Sequence, residues 1–405
     1  MLMRVGFTLI GRQPWLGGYN YLLNLFRVLD KHASDEIEPV LFVGNASSNQ
    51  DLDGFKKILN NNVIVSHLFD HDYYGLLLVR SLILGKDNGL ERVVKSHGVD
   101  VMFEAATYYG WRFRVPTIAW IPDFQHRHLP DMFSTAAYWK RELGIRVQIL
   151  SGRTIMLSSK NAKYDCEKFY PRARGRTFLV PFAVEFPPDV LAKEPSEMRE
   201  QYQLPTDFIF LPNQFWKHKN HEVVIKAVRI LKDRGKNIMV AASGQMEDPR
   251  HPQYYDNLQK LARALNLTGH FRFLGMIPYE DLIGLMRASI AVINPSLFEG
   301  WSTTVEEAKS LGVPLILSDI PVHHEQAEES SFFFDPTSPV SAANAMEIAL
   351  DTCKPGPRFQ EEEIAASAAV NRSRVFVRDF EEVLRITKAK KCKSDRRKTF
   401  SLRNL

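Results

Sequence analysis

The stretch of this chain best equipped for chemistry runs from Asn294 to Pro314, NPSLFEGWSTTVEEAKSLGVP. An apolar run ends at Ile293, a polar loop follows, and a short helix is predicted to begin near Thr303. Two carboxylates stand out. Glu299 falls in the loop at the strand end, and Glu307 falls just over one turn into the helix. A third, Glu306, has a structural role, since with Thr303 it forms a T-x-x-E capping box, and Gly312 and Pro314 supply the stop signal. Gly300 and Trp301 lead into the helix start, where the amides of Ser302, Thr303 and Thr304 are expected to present free N–H groups. Those donors, together with the positive helix end, make an anion site suited to a diphosphate. A carboxylate beside it, Glu307, can accept two hydrogen bonds from a ribose diol, the device that dinucleotide-binding folds use. A glutamate taken singly is most often surface charge; it is the pairing at one loop-to-helix turn that makes these two candidates.

Three further segments carry candidate groups. Pro212 to His221, PNQFWKHKNH, follows a strand-like run and precedes a helix, and it offers Lys217, His218 and Lys219 as cations. A solvated lysine at a helix start is the plain alternative for each. Leu16-Gly17-Gly18-Tyr19 closes a loop after the first predicted strand and opens a helix. Paired glycines there let a ligand approach the backbone, although the pattern is not GxGxxG and a tight turn explains it as well. Trp120 to Pro130, WIPDFQHRHLP, holds Asp123, His126 and His128, with Asp123 the strongest of the group. A lone loop histidine is more often plain surface. No DxD-type pair stands at a strand end and no Cys or His spacing suits zinc, so neither a metal nor a cofactor is expected.

A strand followed by Glu299, seven residues and Glu307 resembles the E-x7-E signature of the large family of retaining GT-B glycosyltransferases, the group 1 or family 4-like transferases. Pro314 to Pro321, PLILSDIP, is similar to that family too, and Gly275 to Leu282, GMIPYEDL, resembles its strand-to-helix turn that meets the nucleotide base, which would give Met276 and Ile277 that contact. The resemblance covers the second half of the chain well and the first half loosely. It implies an arginine and, six residues later, a lysine on the donor diphosphate; Lys219 stands at the lysine position, but Asn213 stands where the arginine is expected. Lys217 or His218 would then have to substitute. It implies contact of the Gly17–Gly18 loop with donor phosphates and acceptor, and a histidine on the donor sugar in the first half. Pro122-Asp123 stands where relatives have His-Asp, which leaves His126 as a nearby stand-in. The activity implied is transfer of a hexose from a UDP- or GDP-linked nucleotide sugar to a glycan, lipid-linked or small-molecule acceptor, with retention and without a covalent sugar–enzyme intermediate. In that picture Glu299 holds sugar hydroxyls and Lys219 stabilises the leaving diphosphate. A nucleotide-sugar epimerase, or a non-catalytic scaffold that binds nucleotide sugars, keeps the fold and changes the outcome; a phosphorylase would need a pyridoxal phosphate lysine and a longer chain.

These residues need a frame, and the periodicity supplies one. Beta-rich runs alternate with helix-period runs, the pattern of parallel sheets with helices on both faces. Strands are predicted at 4–9, 39–43, 63–68, 99–103, 117–121, 154–158 and 178–180, then at 208–211, 237–242, 271–274, 290–293, 314–317 and 331–334. The fold class expected is α/β, GT-B, with two doubly wound Rossmann-like domains facing a cleft. Prolines and broken periodicity between Phe182 and Thr206 mark the boundary. The expected organisation is 1–185 as an acceptor-side domain, 186–205 as linker, 206–370 as the nucleotide-sugar domain, 371–387 as a helix crossing back, and 388–405 as a basic tail. That helix is amphipathic through Val375, Phe376, Phe380, Val383 and Leu384; packing wholly on the second domain fits its periodicity equally.

Composition narrows the partners. With 405 residues and 45% hydrophobic content, the chain is long enough for two cored domains. The net charge of +5 is misleading, because residues 388–405 hold eight Lys or Arg against the single acid Asp395, leaving the rest of the chain slightly acidic. Nucleic acid is therefore not an expected partner. The tail reads either as a solvated terminus or as a peripheral contact with an anionic leaflet. Three scattered cysteines, Cys166, Cys353 and Cys392, suggest reduced thiols and a cytoplasmic protein. The N-terminal run is strand-like rather than a signal peptide, and the most apolar stretch, 74–84, is interrupted by Arg80 and too short to span a bilayer.

Overall fold

The computed structural model describes residues 2–10, 16–59, 62–105, 107–327 and 331–403, with the side chains of Leu16 and 391–403 outside that description. The chain divides into two units. Unit 1 comprises Met1–Phe124, Ala137–Phe182 and Arg372–Leu405, and unit 2 comprises Gln125–Ala136 and Ala183–Asn371.

In unit 1 the strands are β1 (Met3–Thr8), β2 (Ile37–Val43), β3 (Val63–Val65), β4 (Val101–Ala105), β5 (Thr117–Trp120), β6 (Thr154–Leu157) and β7 (Thr177–Leu179), and the helices begin with α1 (Leu16–Ala33), α2 (Asn49–Leu59), α3 (Tyr73–Ile83) and α4 (Asn88–Ser96). The chain continues through α5 (Gln125–His128), α6 (Thr135–Leu150) and α7 (Lys160–Phe169). Unit 2 adds α8 (Pro195–Gln201), β8 (Ile209–Leu211), α9 (His221–Asp233), β9 (Val240–Ser243), α10 (Tyr254–Ala264), β10 (Phe271–Gly275), α11 (Tyr279–Ala288) and β11 (Ala291–Asn294). It closes with α12 (Thr303–Ser310), β12 (Leu315–Ser318), α13 (Pro321–Gln326), β13 (Phe332–Phe334) and α14 (Pro339–Thr352), and α15 (Phe359–Arg403) follows.

Both sheets are parallel and wound outward from their first strand, in the orders β3-β2-β1-β4-β5-β6-β7 and β10-β9-β8-β11-β12-β13. The point where the winding direction reverses lies between β1 and β4 in one sheet and between β8 and β11 in the other. Loops at the carboxyl ends of such neighbours diverge, which opens a crevice for ligand. Strands buried on both faces read as continuous apolar runs. That is why Ile209, Leu211, Val240 and Ile293 join the core cluster on one side of the second sheet, while Phe208, Phe210, Ala241 and Val292 join the cluster on the other.

Four expectations are corrected here. The 186–205 segment is not a linker: Val190, Met198 and Leu204 are buried in the core of unit 2, and α8 packs on α11, so apolar side chains fold the proline-rich stretch onto the sheet. Residues 125–136, expected in the first domain, belong to unit 2. Residues 388–403, expected as a separate tail, continue α15 as its last turns, with Lys388 ion-paired to Asp100 at 2.7 Å and the Lys390 ammonium 5.4 Å from the Phe178 ring centroid. Earlier in that helix, Phe380, Val383 and Leu384 are buried and Phe380 meets Phe103 of β4 in an edge contact at 6.1 Å, whereas Val375 is exposed. Periodicity ranked Val375 with its neighbours because it sees only one stripe, not the partner that covers it.

Candidate active site

The carboxyl ends of three adjacent strands in unit 2 deliver the polar framework. Asn294 ends β11, Ser318 ends β12, and Asn213 lies just beyond β8. Asn213 Nδ2 donates to Asn294 Oδ1 at 3.1 Å, directly across the reversal point of the sheet, and Thr304 Oγ1 approaches Asn213 Oδ1 at 3.3 Å. Asn294 Nδ2 in turn donates to Ser302 Oγ at 2.8 Å. Buried amides must find partners or lose their solvation outright, and each of these two finds one for its Nδ2. Asn213 therefore braces the strand ends with one of its two Nδ2 hydrogens, a neutral group where the resemblance implies an arginine. Beside it His221, wholly buried and stacked on Phe215 at 4.6 Å, is pushed down to about 3 by burial and stays neutral.

Lys219 and Glu299 are brought together. Their Nζ and Oε1 atoms lie 2.5 Å apart, with side chains only 14% and 10% exposed. Lys219 closes a single turn, Lys217–Lys219, that ends in Asn220 with a left-handed φ of 55°. Asn220 Nδ2 pins that turn to the carbonyls of Pro295 at 3.2 Å and Pro336 at 2.8 Å, so the lysine is fixed by backbone geometry. Glu299 is held from its other side by Ser296, whose Oγ lies 2.6 Å from Glu299 Oε1 and 2.7 Å from Asn294 Oδ1. An ammonium carries three donors; Glu299 takes one, and two remain to meet phosphate oxygens.

The helix start differs from expectation by one residue, and the difference matters. Ser302, not Thr303, is the N-cap of α12, its Oγ accepting from Val305 N. The Ser302 amide is not free either, because it donates to Gln326 Oε1 at 2.9 Å while Gln326 Nε2 donates to Ser302 O at 3.0 Å and Glu306 Oε1 at 3.1 Å. Glu306 is thus engaged by Gln326 and Lys309 rather than closing a capping box. Among the described residues, the first-turn amides of Thr303 and Thr304 keep no protein partner, as the first amides of a helix do.

Glu307 lies one turn on, buried, with a single side-chain partner among the described residues: Tyr279 Oη donates to its Oε1 at 2.9 Å. Burial pushes its carboxyl up to about 7, the Tyr279 hydrogen bond offsetting part of the rise. Met276 is exposed and Ile277 half-buried at the turn after β10, in which Gly275 adopts a φ of 68°. Gly300 and Trp301 are half-buried, and Lys217 is exposed, its backbone amide held by Asp248 at 3.0 Å.

The candidates from the first half of the chain fare differently. Asp123, in unit 1, is ion-paired to Arg141 at 2.5 Å. His126, in unit 2, is wholly buried beside Phe133; the histidine that meets the Asn294–Ser302 loop is His128, stacked on Phe298 at 5.0 Å. Gly17 is exposed and Gly18 buried in the first turn of α1, and residues 11–15 of that loop lie outside the described residues.

Sequence reasoning missed Ser296, Gln326 and His323. His323 is fully buried on α13, with Nδ1 at 2.9 Å from Ser318 O, and Ser318 Oγ donates to Ser296 O at 2.6 Å. Burial holds this imidazole neutral, down to about 4, against the pull of Glu299. Gln326 acts on a partner 24 residues away that only the fold brings close, whereas Ser296 and His323 act within five residues of themselves and no residue pattern singles them out. Gly244 belongs with them. A Cβ there would lie 2.4 Å from Asn213 O, so Gly244→Ala is expected to lower stability by about 2–3 kcal/mol, as overpacking does. It should also weaken nucleotide binding, because β8 and β9 cannot separate without moving Asn213; denaturant melts and a nucleotide titration measure both.

Comparison with known proteins follows the same lines. Residues 196–362 match the family model for glycosyl transferases group 1. The O-antigen chain mannosyltransferase RfbU of Salmonella typhimurium is 28% identical over 32% of this chain and 35% of its own length. The D-inositol 3-phosphate glycosyltransferase of Corynebacterium glutamicum is 27% identical over 46% of this chain and 43% of its own. The chain thus spans less than half the length of these curated relatives. Among solved structures, Anabaena HepE in complex with UDP and glucose superposes with a TM-score of 0.67 at 16% identity, covering 96% of this chain and 100% of that one. Sucrose-phosphate synthase from Thermosynechococcus elongatus gives 0.62 at 14%, covering 99% and 100%. At such identities the likeness speaks for the fold, which is GT-B. Among the described residues no helix is long and apolar enough to cross a membrane.

Proposed function

We propose that this chain, whose residues 196–362 match the family model for glycosyl transferases group 1, transfers a hexose from a UDP- or GDP-linked nucleotide sugar to a glycan or lipid-linked acceptor with retention. One observation carries the reading: the Lys219–Glu299 pair stands beside the open amides of α12 at the reversal point of a parallel sheet. A diphosphate seated on the Thr303 and Thr304 amides takes the spare donors of Lys219. Preorganised charge of this sort is often the largest catalytic term, because it meets the negative charge that grows as the nucleotide leaves. Glu307 accepts from the ribose diol, and Glu299, steadied by Ser296 and Lys219, accepts from sugar hydroxyls. The bond from the anomeric carbon to the diphosphate oxygen breaks and a bond to the acceptor oxygen forms on the same face, the acceptor proton passing to the departing phosphate oxygen. No residue here is assigned as a covalent nucleophile.

Neutralisation by Lys219 and the helix end leaves no role for a metal in the step, so turnover is expected to be unchanged by EDTA. A panel of nucleoside diphosphates and nucleotide sugars in a thermal-shift assay, with Glu307→Ala as control, tests the donor assignment. A shift selective for one base and lost in the variant is expected; no shift with any of them would refute the reading. A non-catalytic nucleotide-sugar-binding role has one observation in its favour, the neutral Asn213, bonded to Asn294 and Thr304, in place of a cation. Donor hydrolysis without acceptor separates the two, since a transferase leaks its sugar to water and a pure binder does not.

A further inference from the structure

The surface of unit 1 exposes a strip of large apolar side chains that nothing in the sugar-transfer chemistry uses. Helix α3, Tyr73–Ile83, reads YYGLLLVRSLI. Its inner face buries Leu77 and Ser81 against the sheet, yet the outer face carries Leu76, Val79, Leu82 and Ile83, with Leu84 following, all exposed and Ile83 by 73%. A helix that is apolar all round belongs in an interior, and here only one side is covered.

The strip continues through one turn. Arg112 N donates to Gly85 O at 2.8 Å, which sets exposed Trp111 beside the end of α3. Arg153 Nη2 donates to Gly110 O at 2.8 Å, and Tyr108 Oη lies 2.6 Å from Ser151 Oγ, tying the same turn to the end of α6. Helix α6 then presents Trp139, Leu143 and Leu150 to solvent. Nine exposed large apolar residues thus come from three tied segments, where a monomer scatters them singly.

Charge decides what covers them. Across α3, residues 107–116 and α6 the only acid is Glu142, and it is fully buried. The exposed charges on the same segments are all positive: Arg112, Arg114, Lys140 and Arg146, with Arg80 partly exposed. Apolar and indole side chains interspersed with cations alone are the composition of a face that lies in a bilayer interface, the rings and aliphatic chains entering and the cations meeting anionic headgroups. The exposed acid at the border of these segments, Asp72, stands at the amino end of α3, outside the apolar strip.

We propose that the α3–Trp111–α6 face of unit 1 docks on an anionic bilayer surface. This contact is independent of the C-terminal basic helix end and does not rest on the sugar-transfer reading. It would bring the chain to where a lipid-linked acceptor lies.

The test is vesicle flotation of the full chain with phosphatidylcholine alone and with about a third phosphatidylglycerol, alongside tryptophan emission and sedimentation velocity. The wild-type chain should float with the anionic vesicles at least about ten-fold more strongly than with neutral ones, with a blue shift from Trp111 and Trp139. Leu82→Glu with Ile83→Glu should abolish both while leaving the thermal melt and nucleotide thermal shift intact. Val79→Gln with Leu84→Gln, which adds no charge, should weaken binding in the same direction. Neutralising Lys391, Lys393, Arg396 and Arg397 to Gln should leave most of the binding. Absence of vesicle binding, loss confined to the Lys391–Arg397 variant, or self-association through this face without lipid binding would each overturn the proposal.

Discussion

Glu307→Gln is expected to stabilise the chain at pH 8 while weakening its hold on a nucleoside diphosphate by roughly ten- to a hundred-fold. The carboxyl is buried and has one donor, Tyr279, so its ionised form is poorly solvated and its pKa stands at about 7 against an ordinary 4.5. Below 4.5 both folded and unfolded chains hold the proton. Between 4.5 and about 7 the folded chain keeps a proton that the unfolded chain has released, so stability falls as pH rises through that window. Above 7 both are ionised and the whole cost, about 3 kcal/mol for a rise of this size, is present. Glutamine keeps an acceptor for Tyr279 and carries no charge, so its melting temperature should be nearly flat over the window in which the wild type declines. Binding runs the other way. In the proposed complex the ribose diol donates to the ionised carboxylate, so wild-type affinity should rise between pH 6 and 8 and that of the variant should not. Calorimetric titration at three pH values checks both; a variant that is less stable at pH 8 and binds normally would make Glu307 a packing residue.

The second large effect is expected at the Lys219–Glu299 pair, where the two partners should part company. Lys219→Met leaves a nearly buried carboxylate with Ser296 alone, and breaking such a pair costs about 3 kcal/mol or more. It should also weaken diphosphate binding and turnover together. Glu299→Gln should reduce turnover by at least about a hundred-fold, because the charged acceptor for the sugar hydroxyls is gone. Yet it should bind the bare nucleoside diphosphate no worse than wild type, and two- to ten-fold tighter by rough reckoning, since the carboxylate no longer competes for the ammonium. The double variant should be less destabilised than the two single losses added, the mark of a coupled pair. Equal losses of diphosphate affinity in both single variants would remove Glu299 from the sugar and make it a mere support for Lys219.

Much of this protein was legible from residue order alone. The parallel strands are buried on both faces, and continuous apolar runs such as Ile209–Leu211 and Ala291–Asn294 announce themselves without tertiary information. The placement of Glu299, Lys219 and Glu307 was also legible, because each lies within a few residues of a strand end or helix start. What order could not decide is every relation that closes across the sheet. Gln326 takes the Ser302 amide from 24 residues away, Asn213 donates to Asn294 across the sheet, and residues 125–136 leave the unit that flanks them. The exposure of α3 is of the same kind: its run of leucines reads as core, and only the packed fold shows that one face has no cover. Local sequence fixes backbone preference and hydrophobic period, which act over a few residues. Burial, pKa and hydrogen-bond saturation depend on neighbours that the parallel crossovers bring in from tens of residues away.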